Sequence, residues 1–397
     1  MGEPKLRFKA DDGSDFPDWE GMTLGDVGSV AMCKRVFKEQ TREVGDVPFF
    51  KIGTFGGVPD AYISKSLFDE LKSKYAYPEV GTILLSASGT IGRQVEYKGE
   101  DAYYQDSNIV WLEHDDTVLD SYLKQFYSVV KWQGLEGSTI KRLYNKTILD
   151  TPFYRPSLPE QRKIADLLSA VDDVISAQEA EVAAWEKRKK GVMQKLFSQE
   201  VRFKADDGSN FPDWEEKTLG EICEQLKASI DPRNNPTKQF IEYSMPAYDN
   251  HMAAQAVLGQ SMNSARKILS APCVLINKLN VRKRRIWVVE HPEDNAVCSS
   301  EFVPLTSAEF DLRFLGYLAM TDSFTGYLLD CSSGSSNSQK RVTPDTILQY
   351  LVSLPSLPEQ RKIADCLTSL GDVIAKAKDE LDAWRELKKG LLQQMFV

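Results

Sequence analysis

Ser157-Leu158-Pro159-Glu160-Gln161-Arg162-Lys163-Ile164-Ala165-Asp166 is written a second time, residue for residue, at 356–365. Of the 35 positions running from Ser157 to Gly191, 20 match those from Ser356 to Gly390. The first copy continues through Ile164, Leu168, Val171, Ile175, Gln178, Val182, Trp185, Lys189, Val192 and Leu196 in alternating steps of four and three residues. The second repeats the seam as Ile363, Leu367, Leu370, Ile374, Ala377, Leu381, Trp384, Lys388, Leu391 and Met395. A stripe every 3.5 residues faces a partner helix only if the two supercoil, so the spacing predicts a coiled coil formed by the two copies. Ser157 with Glu160, and Ser356 with Glu359, have the spacing of a capping box, with proline in the first turn. At ~1.5 Å per residue, about 39 helical residues reach roughly 60 Å, a length suited to a spacer.

A second repeat lies ahead of each helix. Residues 7–27, RFKADDGSDFPDWEGMTLGDV, return at 202–222 with 16 of 21 positions unchanged. The chain is therefore a tandem duplication, each half reading as leading segment, variable body and long helix. The Asp-Asp-Gly-Ser turn and Phe-Pro-Asp-Trp cluster of the leading segments have a structural reading, as connectors that dock an aromatic ring. The expected fold is α+β: two mixed α/β bodies separated by a pair of long antiparallel coiled-coil helices, with an internal pseudo-twofold repeat. Expected boundaries are 1–155 and 201–354 for the bodies, and 156–200 and 355–397 for the helices.

Composition narrows the class. With 397 residues and 42% apolar content the chain can build two or three cores. Six cysteines lie far apart without a C-x-x-C pair, which favours reduced thiols over a zinc site or a disulfide framework. Neither a signal-peptide run nor an 18-residue apolar stretch occurs, so a soluble cytoplasmic protein is expected. A formal charge of −9 means that any contact with nucleic acid rests on local clusters. The histidines His114, His251 and His291 are scattered singly and point to no metal site.

Catalytic signatures are missing. No glycine-rich cofactor loop with an aromatic-Pro motif, no G-x-x-x-x-G-K-[ST], no H-E-x-x-H and no G-x-S-x-G is present. What remains is recognition chemistry. In the second body a loop at 278–285 holds Lys278, Asn280, Arg282, Lys283, Arg284 and Arg285 between two strands. Arginine can read guanine edges bidentately, asparagine can read adenine, and lysine neutralises phosphate. The comparable hairpin of the first body carries Ser86, Ser88, Gly89, Thr90 and Arg93, where hydroxyls can bond phosphates and glycine permits close approach. A Gly-Ser element ending in a basic pair follows in each body: Ser138 with Lys141 and Arg142, and Lys340 with Arg341. Each of these also has a plain reading as a solvated turn.

Taken together, the residues resemble a known family, the specificity (S) subunits of type I restriction-modification systems. The carriers are the two LPEQRKIA segments, LGDV and LGEI at Leu24–Val27 and Leu219–Ile222, and SASGTIGR ending at Arg93. The second body departs from the glycine turn, with Asn277-Lys278-Leu279-Asn280-Val281-Arg282 in its place. The resemblance implies a non-catalytic subunit whose two bodies are target-recognition domains, each reading one half of an interrupted site in double-stranded DNA. It implies two methyltransferase (modification) subunits and restriction/translocase subunits as partners. S-adenosylmethionine, ATP and magnesium are then expected on those partners, and no cofactor or metal on this chain. The helix-start residues Glu160, Gln161, Arg162 and Lys163, with their copies, are candidates for partner docking. The competing reading is a coiled-coil scaffold whose bodies bind proteins; a self-sufficient DNA-modifying enzyme is the third.

Overall fold

A computed structural model describes residues 4–132, 142–334 and 339–396. The chain divides into two compact units: residues up to Glu179 together with those from Asp379 onward, and Ala180–Lys378. Both long helices, Leu158–Phe197 and Leu357–Met395, cross that division, so each unit holds the start of one helix and the end of the other.

In the first unit the strand Glu20–Thr23 pairs antiparallel with Pro152–Arg155, a clasp that returns the chain to the point where the long helix begins. Within the clasp lies an antiparallel sheet in the order Gly28–Ala31, Ile109–His114, Ile83–Ser86, Gln94–Glu96. Its strands read as continuous apolar runs because both faces are covered. Ile83, Leu85, Val110 and Leu112 point into a core with the helix Asp120–Val129. Leu84, Ile109 and Trp111 alternate to the other face, against a three-stranded sheet of Tyr62–Ile63, Val47–Phe50 and Tyr103–Tyr104.

The second unit repeats the plan. Glu215–Thr218 clasps Leu351–Leu354, and the inner sheet runs Glu224–Gln225, Phe302–Thr306, Cys273–Asn277, Ile286–Val289. Val274, Ile276, Val303 and Leu305 face the helix Leu312–Ala319, while Cys273, Leu275 and Phe302 face the other side. The bodies diverge in their outer layers, since the second builds a five-stranded sheet where the first has three strands. This is the expected architecture of two mixed α/β bodies joined by long helices, with the inner layer duplicated and the outer layer not.

Each inner core is closed by both long helices. Ile164 and Leu168 enter the first core beside Leu392, Met395 and Phe396, whose ring lies 5.2 Å from Tyr122. In the second, Ile363 and Leu367 meet Leu196, and Phe197 lies 5.2 Å from Phe314. The heptad seam is buried or half-buried throughout. Ion pairs give the direction within the first unit: Lys388 meets Asp172 at 2.6 Å and Arg385 meets Glu179 at 2.7 Å, so one number rises as the other falls. The helix segments in the first unit are therefore antiparallel.

At one shared seam position the two units pair differently. Lys388 has Asp172 as its partner, but the corresponding Lys189 faces Gly371, which offers no carboxylate. Burial pushes the Lys189 ammonium below the usual lysine range, and only Asp372 opposes that shift. A Cβ at Gly371 would stand 2.9 Å from Lys189 Nζ, the mobile end of a long side chain. Substituting Gly371→Asp is expected to stabilise the second unit by about 1 kcal/mol, through helix propensity and a new ion pair. Thermal unfolding checks this; an unchanged or lower Tm would count against it.

The helix starts correct an expectation. Glu160 does not close a capping box on Ser157; its carboxylate, fully buried, accepts from Arg7 Nε at 3.0 Å, from the Arg7 terminal nitrogen at 2.8 Å and from Trp19 Nε1 at 3.0 Å. Glu359 holds Arg202 and Trp214 in the same way. Ser157 Oγ and Ser356 Oγ are buried with no bonding partner among the described residues. A guanidinium brought by the leading segment outcompetes a backbone N–H because charge-assisted bidentate bonds are the stronger. Gln161 is buried too, donating to the carbonyls of Thr117 and Pro156, and Lys163 caps the Lys9 carbonyl at 2.8 Å. Of the four helix-start residues expected to dock partners, only Arg162 is exposed; the others bind the leading segment or the body.

Candidate nucleic-acid interface

In the first body the strand Ile83–Ser86 turns back into Gln94–Glu96 through residues 87–93. Ser86 sits at the neck. Its hydroxyl accepts the Arg93 N–H at 2.8 Å and donates to the Thr90 carbonyl, while Gly92 N–H bonds the Ser86 carbonyl at 2.9 Å. Gly89 and Gly92 have φ of 66° and 76°, the left-handed region that a side chain disfavours. At Gly92 a Cβ would also strike Trp132 Nε1 at 2.7 Å.

Two neighbouring segments hold the turn. Ala87 N–H bonds the Asn108 carbonyl at 2.7 Å and Ser88 Oγ bonds Asn108 Oδ1 at 2.9 Å. On the other side Leu143 N–H bonds the Ala87 carbonyl at 2.8 Å, pairing Ser88 with Arg142. Arg142 donates to the Ser107 carbonyl at 2.8 Å.

The second body builds the same device from other residues. Asn277 stands where Ser86 does: its Oδ1 accepts the Arg285 N–H at 3.0 Å and its Nδ2 donates to the Leu279 carbonyl at 2.9 Å. Asn280, with φ of 54°, replaces Gly89, as asparagine tolerates the left-handed region better than other side chains. Lys278 N–H bonds the Glu301 carbonyl at 2.9 Å, Val342 N–H bonds the Lys278 carbonyl at 3.0 Å, and Leu279 pairs with Arg341. Arg341 reaches Glu301 Oε1 at 3.0 Å. The hairpin turn and the Lys-Arg element, far apart in sequence, are thus adjacent in both bodies. Ser138 and Lys141 lie outside the described residues.

The sixteen candidate residues divide by where their polar atoms point. Ser86 and Arg285 face inward, at 2% and 7% exposure. Arg285 grips Asp249 through two bonds of 2.8 and 2.7 Å, which holds the Asp249 carboxyl below the usual range. Arg284 donates to the Met320 carbonyl at 2.8 Å and pairs with Asp322. Arg93 is exposed and donates to the Phe55 carbonyl at 2.8 Å, which ties the one charge of the first turn to a neighbouring segment. Gly89 and Thr90 are exposed and Ser88 is half-buried. Arg282 and Lys283 are exposed, Lys278 and Lys340 half-exposed, and none of these four forms an ion pair among the described residues. Sequence reasoning overlooked Asn277, Asn108 and Glu301; the signal for Asn277 was a polar residue ending an otherwise apolar strand.

A family model described as "Type I restriction modification DNA specificity domain" matches residues 17–184 and again 212–383. The chain belongs to the type I restriction-modification specificity family. Its two matches fall on the two halves of the duplication. This specificity subunit is 54% identical, over 39% of its length and 40% of the relative's, to a putative type I restriction enzyme specificity subunit of Haemophilus influenzae. It is 23% identical over 98% of its length, and 95% of the relative's, to the MjaVIII specificity subunit of Methanocaldococcus jannaschii. Among solved structures, a type I S subunit from M. genitalium matches 100% of the chain, and 99% of its own, with a TM-score of 0.60 at 17% identity, a likeness of fold. The matched description is of a DNA specificity domain, and DNA binding for specificity is the role of this chain in a type I restriction-modification system. No helix among the described residues is long and apolar enough to cross a membrane.

Proposed function

We propose that this specificity subunit reads an interrupted duplex target, one half with each body, through the two stapled turns and their Lys-Arg neighbours. The carrying observation is that one turn architecture is built twice from unlike residues, Ser86 with Gly89 and Asn277 with Asn280. A constant frame with variable contents is what two different half-sites require. The target-recognition domains would be residues 1–155 and 201–354, with 156–200 and 355–397 as the helical spacer. In the second body Arg282, Lys283, Lys278 and Lys340 are the groups placed for phosphate and base edges. Asn280 shapes the turn, and Arg284 and Arg341, each paired at one edge, border it. In the first, Ser88, Gly89, Thr90 and Arg142 form the corresponding rim with Ser138 and Lys141. Ser86 and Arg285 position the turns from within, and the exposed Arg93 adds its guanidinium to the rim of the first.

Two methyltransferase subunits and the restriction/translocase subunits are the proposed partners, bringing S-adenosylmethionine, ATP and magnesium to a cytoplasmic complex. The test is selection from random duplex DNA by this chain with its methyltransferase subunits, scoring methylated sites. An interrupted motif with two unlike halves is the expected result. A single uninterrupted motif would remove the two-reader arrangement, and a stable complex that modifies no DNA would favour a protein scaffold. On the selected motif, Arg282→Ala with Lys283→Ala should weaken binding and make the dependence of log K on log salt shallower by about 1.8, at roughly 0.9 for each phosphate no longer neutralised.

A further inference from the structure

The first body poses a problem of charge. Among the described residues its turn carries the exposed Arg93, with Arg142 beside it, each bonded to a backbone carbonyl, against five basic side chains in the 278–285 loop of the second body. The missing charge lies nearby. Residues 35–42 read Arg-Val-Phe-Lys-Glu-Gln-Thr-Arg, three cations against one carboxylate in a chain whose net charge is −9.

Structure ties this segment to the turn by two routes. Arg35 Nε bonds Asp106 Oδ2 at 2.8 Å, and the next two residues, Ser107 and Asn108, hold Arg142 and Ser88. By the second route Gly89 lies against Ile52, whose N–H bonds Gln105 Oε1 at 2.9 Å. Gln105 and Lys51 line a cavity of about 600 Å³ together with Lys38 and Arg42.

The segment is rigid where it matters. A 3₁₀ turn at Lys38–Gln40 is closed by Phe37 N–H on Gln40 Oε1 at 2.9 Å and by Thr41 Oγ1 on the Lys38 carbonyl at 2.8 Å. Arg42 is fixed by backbone bonds to Tyr62 in both directions, at 2.9 and 2.8 Å. Val36 packs on the core, yet Phe37 remains 59% exposed at the start of this ordered turn. Lys38 and Arg42 form no ion pair among the described residues. A bare aromatic ring at the head of a segment that carries two cations outside ion pairs matches what nucleic acid offers, stacked bases behind phosphates.

We propose that residues 35–42 are a second duplex-DNA contact element of the first body, with Phe37 placed against base steps and Lys38 and Arg42 on phosphates. This rests on the DNA-reading function proposed above. Arg35 acts as a positioning residue that joins the element to the turn.

The test uses the full chain in its methyltransferase complex, with the duplex motif that the wild type selects as probe. Lys38→Ala with Arg42→Ala should make the salt dependence shallower by about 1.8. Phe37→Ala should weaken binding about tenfold with the salt dependence unchanged, and Phe37→Trp should restore it. All three positions are exposed, so unfolding temperatures should not move. Variants that bind the motif as wild type does would overturn this proposal alone. Loss of methyltransferase association with DNA binding intact would also overturn it, marking a protein contact. A wild type that selects no duplex would overturn the DNA reading and this proposal with it.

Discussion

Substituting Arg7→Leu should lower the stability of the first unit by about 3–5 kcal/mol, because it leaves the fully buried Glu160 carboxylate with Trp19 Nε1 as its remaining clamp donor. The effect is large because the partners differ in exposure: Arg7 retains 27% of its side-chain surface, whereas Glu160 retains none. Removing the exposed partner strands the buried one. Changing both, Arg7→Leu with Glu160→Leu, should recover much of the loss, since neither charge then needs a partner. Arg202→Leu should reproduce the result in the second unit through Glu359. Urea unfolding, followed by probes in each body, checks the claim; a loss below about 1 kcal/mol for the single change would refute it.

Asn277→Ala is expected to cost roughly 2–6 kcal/mol in the second unit, since it strips a buried acceptor from Arg285 N–H and a donor from the Leu279 carbonyl, at about 1–3 kcal/mol each. Its functional effect should exceed its thermodynamic one. With the neck open, the 278–285 loop loses its fixed shape, and the half of the selected motif read by the second body should blur while the other half stays sharp. Asn277→Ser, which imports the first body's solution, should retain more of both properties than alanine. Equal blurring of the two halves would show that the staple does not act locally.

Much of this was legible in the sequence, for identifiable reasons. The seam from Ile164 to Leu196 and its copy follow a strict period, and burial follows that period residue by residue. The strands at Cys273–Asn277 and Ile286–Val289 could be read because apolar runs that short are bounded by polar loops. Ser-x-x-Glu misled because local spacing cannot show that Arg7, 153 residues away, takes the same carboxylate. The basic loop misled by composition: Arg284 and Arg285 look like Arg282 in a string, yet they bind Met320 and Asp249 within their own body. The sequence sets Asn277–Arg282 in the place of the glycine turn, but not that Asn277 does the work of Ser86, because the two share a task and not a side chain. Residues 35–42 are inconspicuous in the string for a similar reason, since their value depends on Asp106, which only folding brings alongside.

Leu392, Met395 and Phe396 complete the core that Tyr122 and Phe126 begin, and this has a meaning for biosynthesis. The 199 residues Ala180–Lys378 separate Glu179 from Asp379, where the first unit resumes. At about 5–20 residues per second, a ribosome takes roughly 10–40 s to cover them. For that interval the nascent first body must persist with an aromatic cleft unfilled, vulnerable to chaperone capture or to the apolar surface of a neighbouring polysome product. Maturation of the first body is thereby coupled to completion of the second, so a ribosome that stalls midway releases a chain whose reader lacks its keystone.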